Sequence, residues 1–113
     1  MEADCLFCRI IAGVIPAQII DETPDGIVFR DIAAQAPVHL LVVPRRHIKS
    51  LATATDEGEL GRLMMLVRRA AQSEGIAESG YRVVINTNDD GGQTVHHFHI
   101  HVLGGRKMAW PPG

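Results

Sequence analysis

The apolar positions of the chain change period several times, and each change predicts a different element. Leu6 to Ala12 is a short apolar stretch that suits one or two helical turns, with Gly13 to stop it and Pro16 to forbid resumption. Ile19 to Asp21 and Ile27 to Asp31 read as two strands around the turn Thr23-Pro24-Asp25-Gly26. Ala36-Pro37 breaks the chain again, and His39 to Val43 is a short buried-type strand ended by Pro44. From about Asp56 to Glu74 the period becomes helical. Leu60, Leu63, Met64, Val67, Ala70 and Ala71 recur on one face, with Arg62, Arg68 and Arg69 off it. Thr55 is the expected N-cap, Asp56, Glu57 and Glu59 complement the helix dipole, and Gly75 is a natural stop. Tyr81 to Asn86 and His97 to Leu103 read as further strands, separated by Asp89-Asp90-Gly91-Gly92. The order short helix, strands, long helix, strands predicts an α+β domain with a mostly antiparallel sheet.

No repeat, low-complexity tract or charge block interrupts that pattern. A length of 113 residues is one small domain's worth, so a single domain over 1–113 is expected. Hydrophobic residues make up 46%, enough for a packed core, but only five residues are aromatic, so aliphatic side chains must do most of the packing. Eleven basic residues against thirteen acidic ones give a net charge of -2. That lacks the footprint of a long nucleic-acid partner and leaves a single nucleotide as a fitting ligand. The start Met1-Glu2-Ala3-Asp4 is acidic where a secretory leader is basic, and the run His39–Val43 is far too short to span a bilayer. No membrane partner and a cytoplasmic location are therefore expected. Cys5 and Cys8 form a C-x-x-C pair, which in such a chain reads as metal-binding or redox-active rather than as a structural disulfide. No thioredoxin-like Trp or Pro surrounds the pair, which disfavours the redox role.

Six histidines are many for so short a chain, and four of them fall in His96-His97-Phe98-His99-Ile100-His101-Val102-Leu103. Side chains two apart on a strand share a face at a spacing of roughly 6.6 to 6.8 Å. His97, His99 and His101 therefore share one face, Phe98, Ile100 and Val102 point into the core, and His96 is an out-of-phase strand-entry residue. A hydrogen-bonded polar face would explain one histidine better than three in register. Alternating imidazoles can chelate a metal around an open position, or one can act as nucleophile while the others set its tautomer. The preceding Gly91-Gly92-Gln93-Thr94-Val95 tips the balance. Alone it is a turn; joined to the histidines it reads as an anion cradle beside a nucleophile.

Gly92-Gln93-Thr94-Val95 followed by His97-Phe98-His99-Ile100-His101-Val102-Leu103 resembles the signature of the histidine triad (HIT) superfamily. The likeness covers nearly the whole chain. Phe29-Arg30-Asp31-Ile32 and Ala36-Pro37-Val38-His39-Leu40-Leu41-Val42-Val43-Pro44 look like the family's nucleoside-binding and second-histidine segments. The ending Gly104-Gly105-Arg106-Lys107-Met108-Ala109-Trp110-Pro111-Pro112-Gly113 is similar to that of the histidine triad nucleotide-binding (HINT) branch, not the dinucleoside polyphosphate hydrolase branch. The resemblance implies a HIT-like fold, with a five-stranded mostly antiparallel sheet and one long and one short helix per protomer. It further implies a homodimer with a ten-stranded sheet and the long helices packed together.

For function, the resemblance implies a purine nucleoside 5'-phosphoramidate hydrolase acting on purine nucleoside monophosphates joined to amines. His99 would attack the α-phosphorus and form a nucleotidyl-histidine that water cleaves, with no metal in the chemical step. His39 and His101 would hold its tautomer, and Asn86, Gln93 and Thr94 would contact phosphate or leaving group. Thr94 stands where the family usually has Ser, which keeps the hydroxyl and adds a methyl. Asp31 would bind the ribose hydroxyls, Phe7, Ile10, Phe29 and Ile32 would line the base slot, and Gly92 and Val95 would belong to the same nucleotide-binding set. Trp110 of the partner subunit would reach towards the site. Cys5, Cys8, His47 and His97 match a structural zinc site of bacterial members, a closed Cys2His2 set that would pin the strand carrying the nucleophile. A nucleotide-binding regulatory module and a HIT-family nucleotidyltransferase are the alternatives.

Overall fold

The computed structural model describes residues 2–113, so Met1 of the acidic start lies outside the described residues. The chain forms a short helix α1 (Leu6–Ile11), strands β1 (Ile19–Glu22), β2 (Gly26–Arg30) and β3 (Val38–Pro44), a 3-10 turn over Leu51–Thr53, a long helix α2 (Glu57–Ser73), and strands β4 (Tyr81–Val84) and β5 (Ile100–Gly104). The strands make one antiparallel sheet in the order β1-β2-β3-β5-β4. The α+β expectation and the five-stranded sheet with one long and one short helix hold.

Strand alternation sorts the side chains into two layers. Val28, Leu40, Val42, Phe98, Ile100 and Val102 face α2 and pack with Leu63, Leu66, Val67, Ala70 and Ala71. Ile27, Phe29, Leu41 and Val43 face the other way and pack under Phe7 of α1. The face opposite α2 is covered only in part by so short a helix, and the open remainder is where the histidines collect.

Beside shifts of one residue at element ends, three differences from expectation are found. The N-cap of α2 is Asp56, whose carboxylate accepts the Glu59 N–H at 3.1 Å, rather than Thr55. Its buried stripe runs through Leu63, Leu66, Val67, Ala70 and Ala71, while Met64 stands 42% exposed. The third difference bears on chemistry: β5 begins at Ile100, not His97, and β4 ends at Val84, not Asn86. Continuing the pairing of Val42 with Ile100 brings Pro44 opposite Phe98. Proline has no N–H to offer, and its carbonyl accepts instead from the His97 ring. The Phe98 N–H turns to the Ile48 carbonyl at 2.6 Å. The ladder stops there, although Phe98 keeps its alternation and stays in the α2 layer.

Candidate functional site

Strand register explains the first histidine contact. His39 pairs with Leu103 and His101 with Leu41, which makes the two imidazoles diagonal neighbours on one sheet face. His39 Nε2 and His101 Nδ1 lie 2.9 Å apart. The Gln35 N–H donates to His39 Nδ1 at 3.0 Å, so the hydrogen of a neutral His39 sits on Nε2. That N–H donates to His101 Nδ1, which in turn leaves the hydrogen of His101 on its own Nε2. Burial, reinforced by the neighbouring His99 and His39, pushes His101 down to about 4. Burial also lowers His39, with the Asp31 carboxylate opposing. Both rings are thus neutral near pH 7, as this chain of hydrogen bonds requires.

His99 is fixed the opposite way round. Its Nδ1 lies 2.7 Å from the His97 carbonyl, which can only accept, so the tautomer of the neutral ring carries its hydrogen on Nδ1 and the lone pair on Nε2. The ring is buried and stands edge-on to Phe7 at 5.1 Å and to His101 at 5.1 Å. One sheet face therefore presents an imidazole lone pair beside an N–H donor.

These two rings line a cavity of about 300 Å³, within the range of small-ligand sites. Of the residues expected to hold a nucleotide, Phe7, Ile10, Phe29, Asp31, Ile32, Thr94, Val95, His99 and His101 all line it. The apolar members fall on α1, β2, the loop after β2 and, for Val95, the segment before β5, and Asp31 sits beside them. Its Oδ1 accepts the Ala33 N–H at 2.8 Å and its Oδ2 lies 3.3 Å from His39 Nε2. Leu6, Ile15, Pro16, Ala17, Arg30, Ala33 and Leu41 complete the lining without having been anticipated. For Ile15, Pro16 and Ala17 the apolar run after α1 was the only signal.

Asn86, Gly92, Gln93 and Trp110 are not among the lining residues. The Gln93 carboxamide is fully engaged in the loop: Nε2 donates to the Lys49 and Val95 carbonyls and Oε1 accepts the Asn88 N–H. The N–H groups of Gly92 and Gln93 close turns onto Asp89 and Asn88. Gly92 sits at φ +79° and a Cβ on Gly91 would collide with the Thr87 carbonyl, so the loop's own turn requires both glycines. Trp110 is 82% exposed.

On the far side of Phe7 lies a second constellation. Cys5 caps α1, its Sγ accepting the Cys8 N–H, which brings both sulfurs to one end of the helix. His97 Nδ1 lies 3.2 Å from Cys5 Sγ and 3.5 Å from Cys8 Sγ, and His47 Nδ1 lies 3.3 Å from Cys8 Sγ. His97 Nε2 donates to the Pro44 carbonyl at 2.9 Å, which leaves Nδ1 as a lone pair aimed at the sulfurs. Burial holds His97 down to about 4 and pushes the Cys5 thiol up. The donor atoms of Cys5, Cys8, His47 and His97 all fall within 4.8 Å of one another. Tetrahedral coordination at ~2.3 Å to sulfur and ~2.0 Å to nitrogen sets sulfur and nitrogen about 3.5 Å apart, so the set fits one metal ion of the zinc kind. Asp31, His39 and His101 are also mutually close, but the hydrogen on His39 Nε2 makes them a hydrogen-bond relay. The alternating histidines do not converge on one point: His97 faces the sulfurs, His99 the chain and His101 its neighbour His39.

The site is thus an antiparallel sheet carrying a row of imidazoles beside an apolar slot. The chain belongs to the HIT domain family, whose model matches residues 12–108. It is 52% identical over the full length of both chains to an uncharacterized HIT-like protein of Synechococcus elongatus. Among solved structures it is similar to a HIT family hydrolase from Legionella pneumophila, with TM-score 0.94 and 46% identity over 97% of this chain and 100% of that one. A histidine triad protein from Clostridium difficile matches with TM-score 0.93 and 35% identity over 96% of each chain. The histidine triad nucleotide-binding protein of Candida albicans matches with TM-score 0.84 and 28% identity over 96% of this chain and 83% of that one.

Proposed function

We propose that the protein is a purine nucleoside 5'-phosphoramidate hydrolase that works through a covalent nucleotidyl group on His99. The observation that carries this reading is the His99 tautomer, with Nδ1 fixed on the His97 carbonyl and the ring itself on the wall of the apolar cavity. Phe7, Ile10, Phe29 and Ile32 supply flat apolar surface for a purine, and Asp31 supplies the acceptor for sugar hydroxyls. That placement brings the 5'-phosphate to His99 Nε2. The lone pair forms the N–P bond, the P–N bond to the amine breaks, and the amine leaves with a proton from solvent. His101 Nε2–H donates to a phosphoryl oxygen as charge builds there, and the Thr94 hydroxyl faces the leaving group. A more open hollow meets the cavity at Leu6, Thr94 and Val95 and gives the amine its exit. Water then cleaves the adduct. The hydrolase name of the Legionella relative and the nucleotide-binding name of the Candida relative support the reading.

Cys5, Cys8, His47 and His97 hold a zinc ion in this proposal, which closes the N-terminus onto the sheet and takes no part in the chemical step. A homodimer and a cytoplasmic setting, where the two thiols stay reduced, complete it. Intact-mass analysis after mixing with an AMP-amine substrate tests the reaction. The expected result is one nucleotidyl adduct that disappears in His99→Ala, with turnover reduced at least about a thousandfold. AMP binding without any adduct or turnover would favour the regulatory binding module instead. Elemental analysis of protein purified with added zinc tests the metal.

A further inference from the structure

We propose that Cys5, Cys8 and His47 are positioning residues for the nucleophile, acting through the backbone of His97. Filling the metal cluster and placing a nucleotidyl group on His99 are then linked events, each favouring the other. This inference rests on the reaction and the metal proposed above.

His97 joins the cluster to His99, being fully buried and tied down at three points. Its Nε2–H meets the Pro44 carbonyl at 2.9 Å, its Nδ1 faces the two sulfurs, and its carbonyl accepts the His99 Nδ1–H at 2.7 Å. The last contact sets the nucleophile's tautomer. The sheet ladder does not reach that carbonyl, since β5 starts only at Ile100; the plane of its peptide is held by the Phe98 N–H, which donates to the Ile48 carbonyl at 2.6 Å. The His97 ring adds a second hold, with the Pro44 carbonyl on one side and the cluster on the other. With the cluster empty the ring loses its restraint on the Nδ1 side, the carbonyl loosens its grip on the His99 Nδ1–H, and a share of His99 places its hydrogen on Nε2, where it blocks attack.

The reverse effect follows from charge. Attack converts the His99 lone pair into an N–P bond and leaves positive charge on the ring, shared with Nδ1–H. A charged donor grips the His97 carbonyl more strongly and holds that residue in its ligand position. Linkage requires the same factor in both directions: whatever the cluster adds to adduct stability, the adduct adds to metal affinity.

Zinc-loaded, chelator-stripped and zinc-reloaded protein are compared. Nitrogen NMR of the His99 ring is expected to show Nδ1–H in loaded protein, a tautomer mixture after stripping, and Nδ1–H again on reloading. Adduct formation in a single turnover is expected to slow tenfold or more on stripping and to recover on reloading. Cobalt in place of zinc is expected to change its visible absorption when His99 carries the adduct. A His99 tautomer and adduct rate unchanged by stripping overturn the proposal and leave the assigned reaction standing. A chain that takes up neither zinc nor cobalt overturns it as well. Failure to form an adduct in any state removes the assigned reaction, and the tautomer comparison then decides the link by itself. Should stripping unfold the chain, zinc-loaded His47→Ala, with three donors left, replaces the stripped form. An intermediate adduct rate supports the link, and a wild-type rate and tautomer overturn it.

Discussion

His39 and His101 show how a single side chain ties chemistry to stability. Both are held neutral by burial, His101 near 4 against an ordinary 6.5. An unfolded chain takes up protons at these residues as pH falls below 6.5, while the folded chain does not. Their contribution to stability is therefore complete above 6.5 and is lost as pH falls through the folded values, levelling off below about 4 for His101. The melting temperature is expected to decline across that window, and His101→Leu should flatten the decline. A wild-type curve flat from 6.5 to 4 would contradict the assignment. Gly26 makes a different demand. A Cβ there would sit 2.6 Å from the Val43 carbonyl oxygen and 2.8 Å from Leu63 Cδ2. Neither atom is the tip of a flexible surface chain, so Gly26→Ala is expected to cost about 1–3 kcal/mol in urea unfolding, as overpacked cores do.

At the level of elements, α2 separates what periodicity reveals from what it cannot. Apolar spacing located the helix to within a residue at each end, but it placed Met64 on the buried stripe where Leu66 belongs. Both residues are apolar, and the angle at which the helix crosses the sheet chooses between them. Leu66→Ala should therefore cost about 2–5 kcal/mol and Met64→Ala less than about 0.5 kcal/mol, measured by chemical denaturation. Equal costs would mean that the stripe is misassigned. The histidine segment teaches the same lesson from the other side. Alternation correctly gave the facing of Phe98, Ile100 and Val102, because an extended chain alternates whether or not it is paired. The end of the ladder was written in Pro44, which stands far from the segment in sequence and opposite it in space. The tautomers were not legible at all, since they depend on the Gln35 amide and the His97 carbonyl, and backbone groups leave no mark on residue type. The Cys2His2 set was legible as residue types; its closure depends on α1 packing onto the sheet beside His47.

For the molecule as a whole, the open edges of the sheet bear on the proposed dimer. β1 and β4 each have one paired neighbour, and an unpaired edge invites a second strand. The C-terminal segment lies against β4, where the Arg82 guanidinium donates to the Ala109 carbonyl at 2.7 Å. Trp110 follows directly and projects with 82% of its surface uncovered by its own chain. A second copy pairing along β4 would join two five-stranded sheets into one of ten and carry each tail onto its partner. A tail so placed would act on the leaving group rather than on His99, because His99 is buried within its own chain, against Phe7 of α1 and His101 of β5. Sedimentation is thus expected to give twice the chain mass. Trp110→Ala should alter kcat/KM unequally among AMP-amines while His99 still takes up one nucleotidyl group. A fully active monomer at assay concentration, or an equal effect of Trp110→Ala on every amine, would detach the tail from substrate choice and leave the site within one chain.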